Sequence, residues 1–202
     1  MSAAREDILA RVRAGLAGGG PPPSVARAYR RNGSRTPAER IELLAARLTD
    51  YRAEVRRLGE RQVASAVPEG RIGVPPGLPA AWRPPHAVDD DGLSVRELDA
   101  LDGVLTGCTV AIADTGTLVL AGGPAEGRRA LTLVPDLHVC AVRADQVVET
   151  VPEAFDALSA VALRPLTFVS GPSATSDIEL QRVEGVHGPR RLIVLIVEEA
   201  ES

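Results

Sequence analysis

Lysine is absent from this sequence, and all 23 of its basic residues are arginine. Because a Schiff base, a pyridoxal phosphate linkage and a P-loop each need a lysine amine, the absence excludes those mechanisms. Aromatic residues are also scarce, at 2% of the chain. We therefore expect a core of leucine, valine, isoleucine and alanine, without stacking platforms for single-stranded nucleic acid.

Neither a basic face nor a membrane segment is evident. The formal net charge is -4, whereas binding to a phosphate backbone needs a basic surface, so no nucleic-acid partner is expected. The longest apolar run, residues 192–197, is too short to cross a bilayer. The N-terminus carries Arg5, Glu6 and Asp7 before its first apolar residues, unlike a signal peptide. We expect a soluble, cytoplasmic protein without a membrane span.

Metal-binding residues are few. Cys108 and Cys140 lie in apolar, strand-like contexts, which predicts buried reduced thiols, with a disulfide or a reactive pair as the alternative. An all-cysteine iron–sulfur cluster needs four cysteines, and the three histidines lack the spacing of a metal site. We therefore assign no metal and no cofactor, and expect purified protein without iron or visible absorption.

The first 35 residues predict a helical arm and a linker. Ile8, Leu9, Val12 and Leu16 form one apolar stripe on a short helix, which stops at the glycine and proline run of residues 18–23. Residues 36–202 are expected to form a single α/β domain. The oligomeric state stays open, and packing of the arm on a neighbouring subunit is one arrangement that would cover its stripe.

A second helix has the clearest start in the chain. Thr36 offers an N-cap hydroxyl, Pro37 suits the first helical position, and Glu39 can return the hydrogen bond of a capping box. Apolar residues at spacings of three and four predict that this helix continues to about residue 63. Packing on a sheet is the commoner use of such a stripe, and a coiled-coil seam is the alternative.

The rest of the chain alternates between short apolar runs and helical patterns. A β-rich run occurs at residues 72–74, and strands are predicted at 109–113, 117–121, 131–134, 138–142, 166–169 and 192–197. Helices are predicted at 95–103, 145–161 and 176–182. Fully apolar strands that alternate with helices indicate a sheet covered on both faces, and therefore an α/β fold.

Three polar clusters interrupt these strands. The first, Asp114, Thr115, Gly116 and Thr117, is typical of a hairpin turn, with a ligand-binding loop as the alternative. The second contains a series of hydroxyl, glycine and acidic residues. These are Ser170, Gly171, Ser173, Thr175, Asp177 and Glu179. Ser176 and Glu179 can form a capping box, and a helix start favours an anion, although the acidic residues favour a neutral or carboxylate-bearing ligand over a polyphosphate.

Histidines supply the remaining candidates. In the third cluster His187 lies between glycine-containing segments, which suits a proton donor, a ligand contact or a loop contact. His138 lies in an apolar strand and is either a ligand contact or a structural histidine. We expect the three clusters to meet in one crevice at the strand ends, where Arg128 or Arg129 could supply charge to a small carboxylate.

Taken together, these clusters, the pair Thr106 and Gly107, and the segment that contains Leu133, Pro135 and His138 resemble the lactate utilisation protein C family, or LUD domain, formerly a domain of unknown function. The resemblance implies a fold like that of ribose-phosphate isomerases, glucosamine-phosphate deaminases and CoA-transferases. It also implies a role in bacterial oxidation of L-lactate to pyruvate, beside two iron–sulfur proteins. The family usually has glutamate where this chain has Asp114, and arginine where it has Ala174.

Three functions follow from these observations. The first is a component of a lactate-oxidising complex that itself lacks an iron–sulfur cluster, with a pocket for a small carboxylate or another small ligand. The second is a stand-alone enzyme of the CoA-transferase or isomerase type, with Asp114 and His187 as candidate catalytic residues. The third is a ligand-sensing module. We rank them in that order, because fold analogy alone is a weak warrant for an activity.

Overall fold

The computed structural model describes residues 3–17, 30–161, 163–172, 174–176, 182–184 and 188–198, with the backbone alone for 174–176 and 182–184. The chain forms two compact units, residues 1–30 and 31–202. The first contains helix α1 (Ala3–Leu16), of which no residue is buried. Its apolar residues Ile8, Val12 and Leu16 are all exposed.

The second unit contains short helices and a larger number of strands. Its helices are α2 (Pro37–Asp50), α3 (Val63–Ala66), α4 (Val95–Asp99), α5 (Arg129–Leu133) and α6 (Val151–Ala157). Its strands are β1 (Glu54–Gly59), β2 (Ile72–Val74), β3 (Ala87–Asp89), β4 (Gly103–Thr106), β5 (Val110–Ile112), β6 (Thr117–Leu120), β7 (Leu137–Arg143), β8 (Val147–Val148), β9 (Thr167–Val169), β10 (Ala174–Ser176), β11 (Arg182–Glu184) and β12 (Arg191–Glu198). Turns of 3₁₀ helix cover Glu60–Gln62, Ala80–Trp82, Ala144–Gln146 and Leu158–Val161.

A six-stranded sheet forms the centre of this unit, with the order β1-β12-β7-β4-β2-β3. Each neighbouring pair in it is parallel. A four-stranded mixed sheet has the order β8-β5-β6-β9, and β10 pairs with β11. Parallel strands buried on both faces explain the nearly continuous apolar runs of β7 and β12. The predicted α/β fold is confirmed.

The two faces of the six-stranded sheet are buried against different elements. One face packs against α2 and the four-stranded sheet, through Leu44, Leu118, Cys140 and Val194 among others. The opposite face packs against the segment between β1 and β3, which includes Trp82. Burial of a fully enclosed leucine such as Leu44 contributes about 2 kcal/mol, and Ile41 and Leu48 of α2 are buried on the same face. Helix α6 covers the other side of the four-stranded sheet.

The second helix begins where the sequence predicts but ends earlier. Thr36 and Glu39 form the predicted capping box, whereas the helix stops at Asp50 rather than near residue 63. Arg52 has a left-handed φ of 66°, which reverses the chain before β1. Val55 and Leu58 then pack into different core clusters, on opposite faces of the sheet. Residues three apart lie on opposite faces of a strand but on the same face of a helix, so the spacing of Val55 and Leu58 fits both structures.

Three other predicted elements are wrong. The predicted strand at 131–134 is helix α5, whose Leu131 packs with Leu98 of α4. The predicted helix at 145–161 is broken into a 3₁₀ turn, β8 and α6, because a capping box at Thr150 starts the helix late. The helix predicted at 176–182 is also incorrect, since Ser176 lies in β10 and pairs antiparallel with Arg182. Residues 177–181 lie outside the described part of the chain.

Candidate functional site

The first polar cluster is a hairpin turn between β5 and β6, the interpretation that the sequence favours. Gly116 has a φ of 60°, which L side chains rarely adopt. A Cβ atom on Gly116 would also lie 2.7 Å from the Cβ atom of Arg47 on α2. The glycine is therefore required both by the turn and by the close approach of the helix.

A chain of hydroxyl groups connects this turn to the second cluster. The Thr117 Oγ1 atom lies 2.8 Å from Thr115 Oγ1 and 2.8 Å from Ser170 Oγ. Thr117 begins β6, and Ser170 follows β9, which pairs with β6. The structure thus brings the first cluster and the start of the second together.

Ser170 and Gly171 lie on the wall of a cleft of about 240 Å³. One wall is formed by residues 167–172, and the other by His138 and Leu192, near the amino ends of β7 and β12. Thr132 and Leu133 of α5 and the pair Gly188 and Pro189 complete the lining. Gly188 and Pro189 end the third cluster, so that segment also reaches the cleft.

His138 is the titratable side chain on the described lining of this cleft. It is 2% exposed, and its Nε2 atom lies 2.8 Å from the Oγ1 atom of Thr106 on β4. Burial lowers the pKa of His138 to about 4, because desolvation penalises the imidazolium. The imidazole is therefore neutral at pH 7. Thr106 belongs to the pattern of the family resemblance but was not predicted as a site residue, since it ends an apolar run and its partner depends on strand register.

Asp114 belongs to an ionic network beside the turn. Its Oδ1 atom lies 3.4 Å from Arg35 Nη1, and its backbone N–H donates to the Glu149 carbonyl. The Glu149 carboxylate is 1% exposed and accepts hydrogen bonds from the backbone N–H groups of Ser34 and Arg35 and from Arg35 Nη1. These bonds fix the segment that leads into α2. Asp114 is not among the described residues that line the cleft.

Glu153 of α6 holds the same segment. Its carboxylate accepts from the backbone N–H groups of Gly33, Glu149 and Thr150. Partial burial raises the pKa of Glu153, but these hydrogen bonds outweigh it, and the pKa lies below its usual value. Both glutamates therefore act as hydrogen-bond acceptors for a turn of backbone.

The two candidate arginines lie at the start of α5. Arg128 makes a bidentate ion pair with Asp90, with Nε to Oδ2 at 2.8 Å and Nη2 to Oδ1 at 2.7 Å, and Nη2 also donates to the Leu93 carbonyl. Arg129 is the exposed first residue of the helix. Neither arginine is among the described residues that line the cleft, although Thr132 and Leu133 of the same helix are.

Part of the predicted site lies outside the described residues. This part comprises Ser173, Asp177, Glu179 and His187. Thr175 lies in β10, where the backbone alone is described. In the described ranges, no group of three or more histidine, cysteine, aspartate or glutamate side chains could hold a metal ion. No helix among those same residues is long and apolar enough to cross a bilayer.

A larger groove, of about 930 Å³, lies at the carboxyl ends of β1, β7 and β12. Residues 59–62, residues 143–145 and Glu198 contribute to its lining. Arginine and acidic side chains occur there together, so the groove does not select one sign of charge. The sequence reasoning did not identify it, because its residues come from distant strand ends.

Comparison with known proteins reveals one family. The LUD domain model matches residues 38–197. A lactate utilization protein C from Deinococcus radiodurans is 47% identical over 174 residues, which cover 80% of this chain and 82% of that protein. One from Bacillus pumilus is 33% identical over 120 residues, and the match spans 49% of that protein. A crystal structure of a DUF162 family protein from Deinococcus radiodurans has a TM-score of 0.71 and 38% identity, covering 81% of this chain and 99% of that one.

Proposed function

Because this chain belongs to the LUD domain family, we propose that it is the component without an iron–sulfur cluster in a bacterial L-lactate utilisation system. Relatives named lactate utilization protein C support this role. In the proposed system, separate iron–sulfur proteins carry the electrons when lactate is oxidised to pyruvate. This chain contributes the cleft beside Ser170, which binds a small ligand with a carboxylate.

The observation that carries the ligand proposal is the hydrogen-bonded chain from Thr115 through Thr117 to Ser170. Hydroxyl groups held in this way are preorganised donors and acceptors, and Ser170 lies on the wall of the cleft. The volume of about 240 Å³ is slightly below the usual range of ligand pockets, which favours a small organic acid over a nucleotide.

The charges of the side chains that line the cleft also favour a small acid as the ligand. The described lining contains no carboxylate that would repel an acid, and His138 is neutral. Ser170 is an uncharged hydroxyl donor on this lining, whereas the Thr132 hydroxyl already donates to the Arg129 carbonyl. Ser173 is adjacent to the lining in sequence. A carboxylate would therefore be held by hydrogen bonds rather than by an ion pair with Arg128, which is already bonded to Asp90.

Growth on L-lactate as the carbon source tests this function. In a strain without its own copy of the gene, we expect Thr117→Val, Ser173→Ala and His187→Ala each to abolish growth while the melting temperature changes little. Thr49→Val and Ser65→Ala are matched controls, since both remove an exposed hydroxyl that bonds a nearby backbone carbonyl. Normal growth of these three variants would contradict the proposal.

Two biochemical experiments separate this function from the alternatives. Purification of the tagged protein from lactate-grown cells should recover cysteine-rich iron–sulfur proteins, and their consistent absence would contradict the role in a complex. Incubation with an acyl-CoA and a carboxylate acceptor should show no exchange. Exchange that disappears in Asp114→Asn would instead establish a transferase.

A further inference from the structure

We propose that Thr106 is a positioning residue for His138, and that it fixes the imidazole in the form whose Nδ1–H is a hydrogen-bond donor at the floor of the cleft. This inference rests on the cleft of the proposed function. It goes further by assigning the ligand group that the Nδ1–H of His138 binds. This group is an acceptor oxygen next to the carboxylate of a small acid, such as the 2-oxo oxygen of a 2-oxo acid.

Strand register places the two side chains together. His138 is opposite Val104, and Cys140 is opposite Thr106, in the parallel pair of β4 and β7. Because side chains alternate along a strand, Thr106 and His138 lie on the same face as diagonal neighbours. Thr106 is 0% exposed, so its hydroxyl group depends on a protein partner.

The direction of the hydrogen bond follows from the hydroxyl proton. Within the described residues, the hydrogen-bond partner of Thr106 Oγ1 is His138 Nε2, at 2.8 Å. If Nε2 carried the proton and donated it, the buried Thr106 hydroxyl proton would have no acceptor, and an unsatisfied buried donor is costly. Thr106 therefore donates, Nε2 accepts, and the imidazole proton is on Nδ1.

The imidazole then has one N–H group left for a ligand. Burial keeps it neutral at pH 7, so Nε2 stays an acceptor and Nδ1 a donor. No carboxylate on the described lining of the cleft competes for this donor. A carbonyl oxygen has lone pairs and no proton, so the 2-oxo oxygen beside a carboxylate is an acceptor that such a donor can satisfy while the hydroxyl donors bind the carboxylate.

Nitrogen NMR of the intact protein measures the tautomer directly. The chain has three histidines, so His138→Gln assigns the His138 signals. We expect the Nδ1–H form in the wild type and in Thr106→Ser, which keeps the hydroxyl. In Thr106→Val, which has a similar shape without it, we expect a mixture of tautomers. A proton on Nε2 in the wild type, or an unchanged tautomer in Thr106→Val, would overturn the inference.

Binding measurements test the recognised group with pyruvate and propionate, which differ by the 2-oxo oxygen. We expect the wild type and Thr106→Ser to prefer pyruvate, and Thr106→Val to lose about fivefold to tenfold of pyruvate affinity with little effect on propionate. Equal binding of both acids by the wild type would overturn the assigned group. Failure of the wild type to bind either acid, with the Nδ1–H form present, would instead count against the proposed carboxylate ligand.

Discussion

Acidification should destabilise this protein through His138. The folded state holds the imidazole neutral, with a pKa of about 4, against the usual value of 6.5 that applies when the chain unfolds. Between these two values the unfolded state binds more protons, so stability is present above pH 6.5 and is lost as the pH falls. The loss levels off below pH 4, where both states bind the proton.

The two pKa values give the size of the effect. The free energy of unfolding should fall by about 2 kcal/mol between pH 7 and pH 5, and by about 3 kcal/mol at pH 4. Carboxylates with lowered pKa values, such as Glu39 and Glu97, add their own loss mainly below pH 5. The interval from pH 7 to pH 5 therefore contains most of the His138 contribution and little of the carboxylate contribution.

Urea unfolding at pH 7 and pH 5 measures this loss. His138→Gln removes the titrating ring and keeps an oxygen that can accept from Thr106, so most of the pH-dependent loss should disappear. His86→Gln is the matched control, because His86 is exposed and the variant should behave like the wild type. The same loss in His138→Gln as in the wild type would refute the reasoning. Direct NMR titration of His138 in the wild type checks it even if the variant folds poorly.

Three further predictions concern the fold. Gly116→Ala should lower the free energy of unfolding by about 2 kcal/mol, through backbone strain and the close contact of the added Cβ with Arg47. Gly92→Ala should lower it by less, because Gly92 has a φ of 82° but no atom within 4 Å of an added Cβ; thermal unfolding of both variants measures the difference. Leu48→Ala should lower the free energy of unfolding, measured with urea, by about 3 kcal/mol. Leu163→Ala should change it little, because Leu163 is 102% exposed. Deletion of residues 1–20 should leave cooperative unfolding intact, because no residue of α1 is buried; loss of cooperativity would contradict this.

Sequence reasoning succeeded where the chemistry is local. The capping box at Thr36 starts α2 at the predicted position, because the interacting groups are only three residues apart. The helix predicted at 95–103 likewise begins at Val95, behind a capping box of Ser94, but it ends at Asp99. The apolar runs of β7 and β12 were identified as strands because parallel strands covered on both faces need apolar side chains throughout. The end of α2 was predicted wrongly, because the apolar residues at 54–59 fit a continued helix as well as a strand. Pairing with β12, which the sequence does not reveal, makes this segment the strand β1.

The site could be predicted in part for the same reason. Polar breaks after apolar strands indicate where loops begin, and the contact between Thr117 and Ser170 follows from the pairing of β6 with β9. The contact of Thr106 with His138 could not be predicted in this way, since it depends on the register of β4 against β7. The ion pair of Arg128 with Asp90 was likewise invisible, because the two residues approach only in the folded chain.

The position of β12 has a consequence for how this domain is made in the cell. It follows every other described strand in sequence, yet it lies between β1 and β7 and pairs with both. A growing chain on the ribosome therefore displays two unsatisfied strand edges until residues 191–198 emerge, and such edges are templates for wrong pairing. Because β1 pairs with a strand that is distant in sequence, folding is expected to be slow and to be complete only after residues 191–198 have been synthesised.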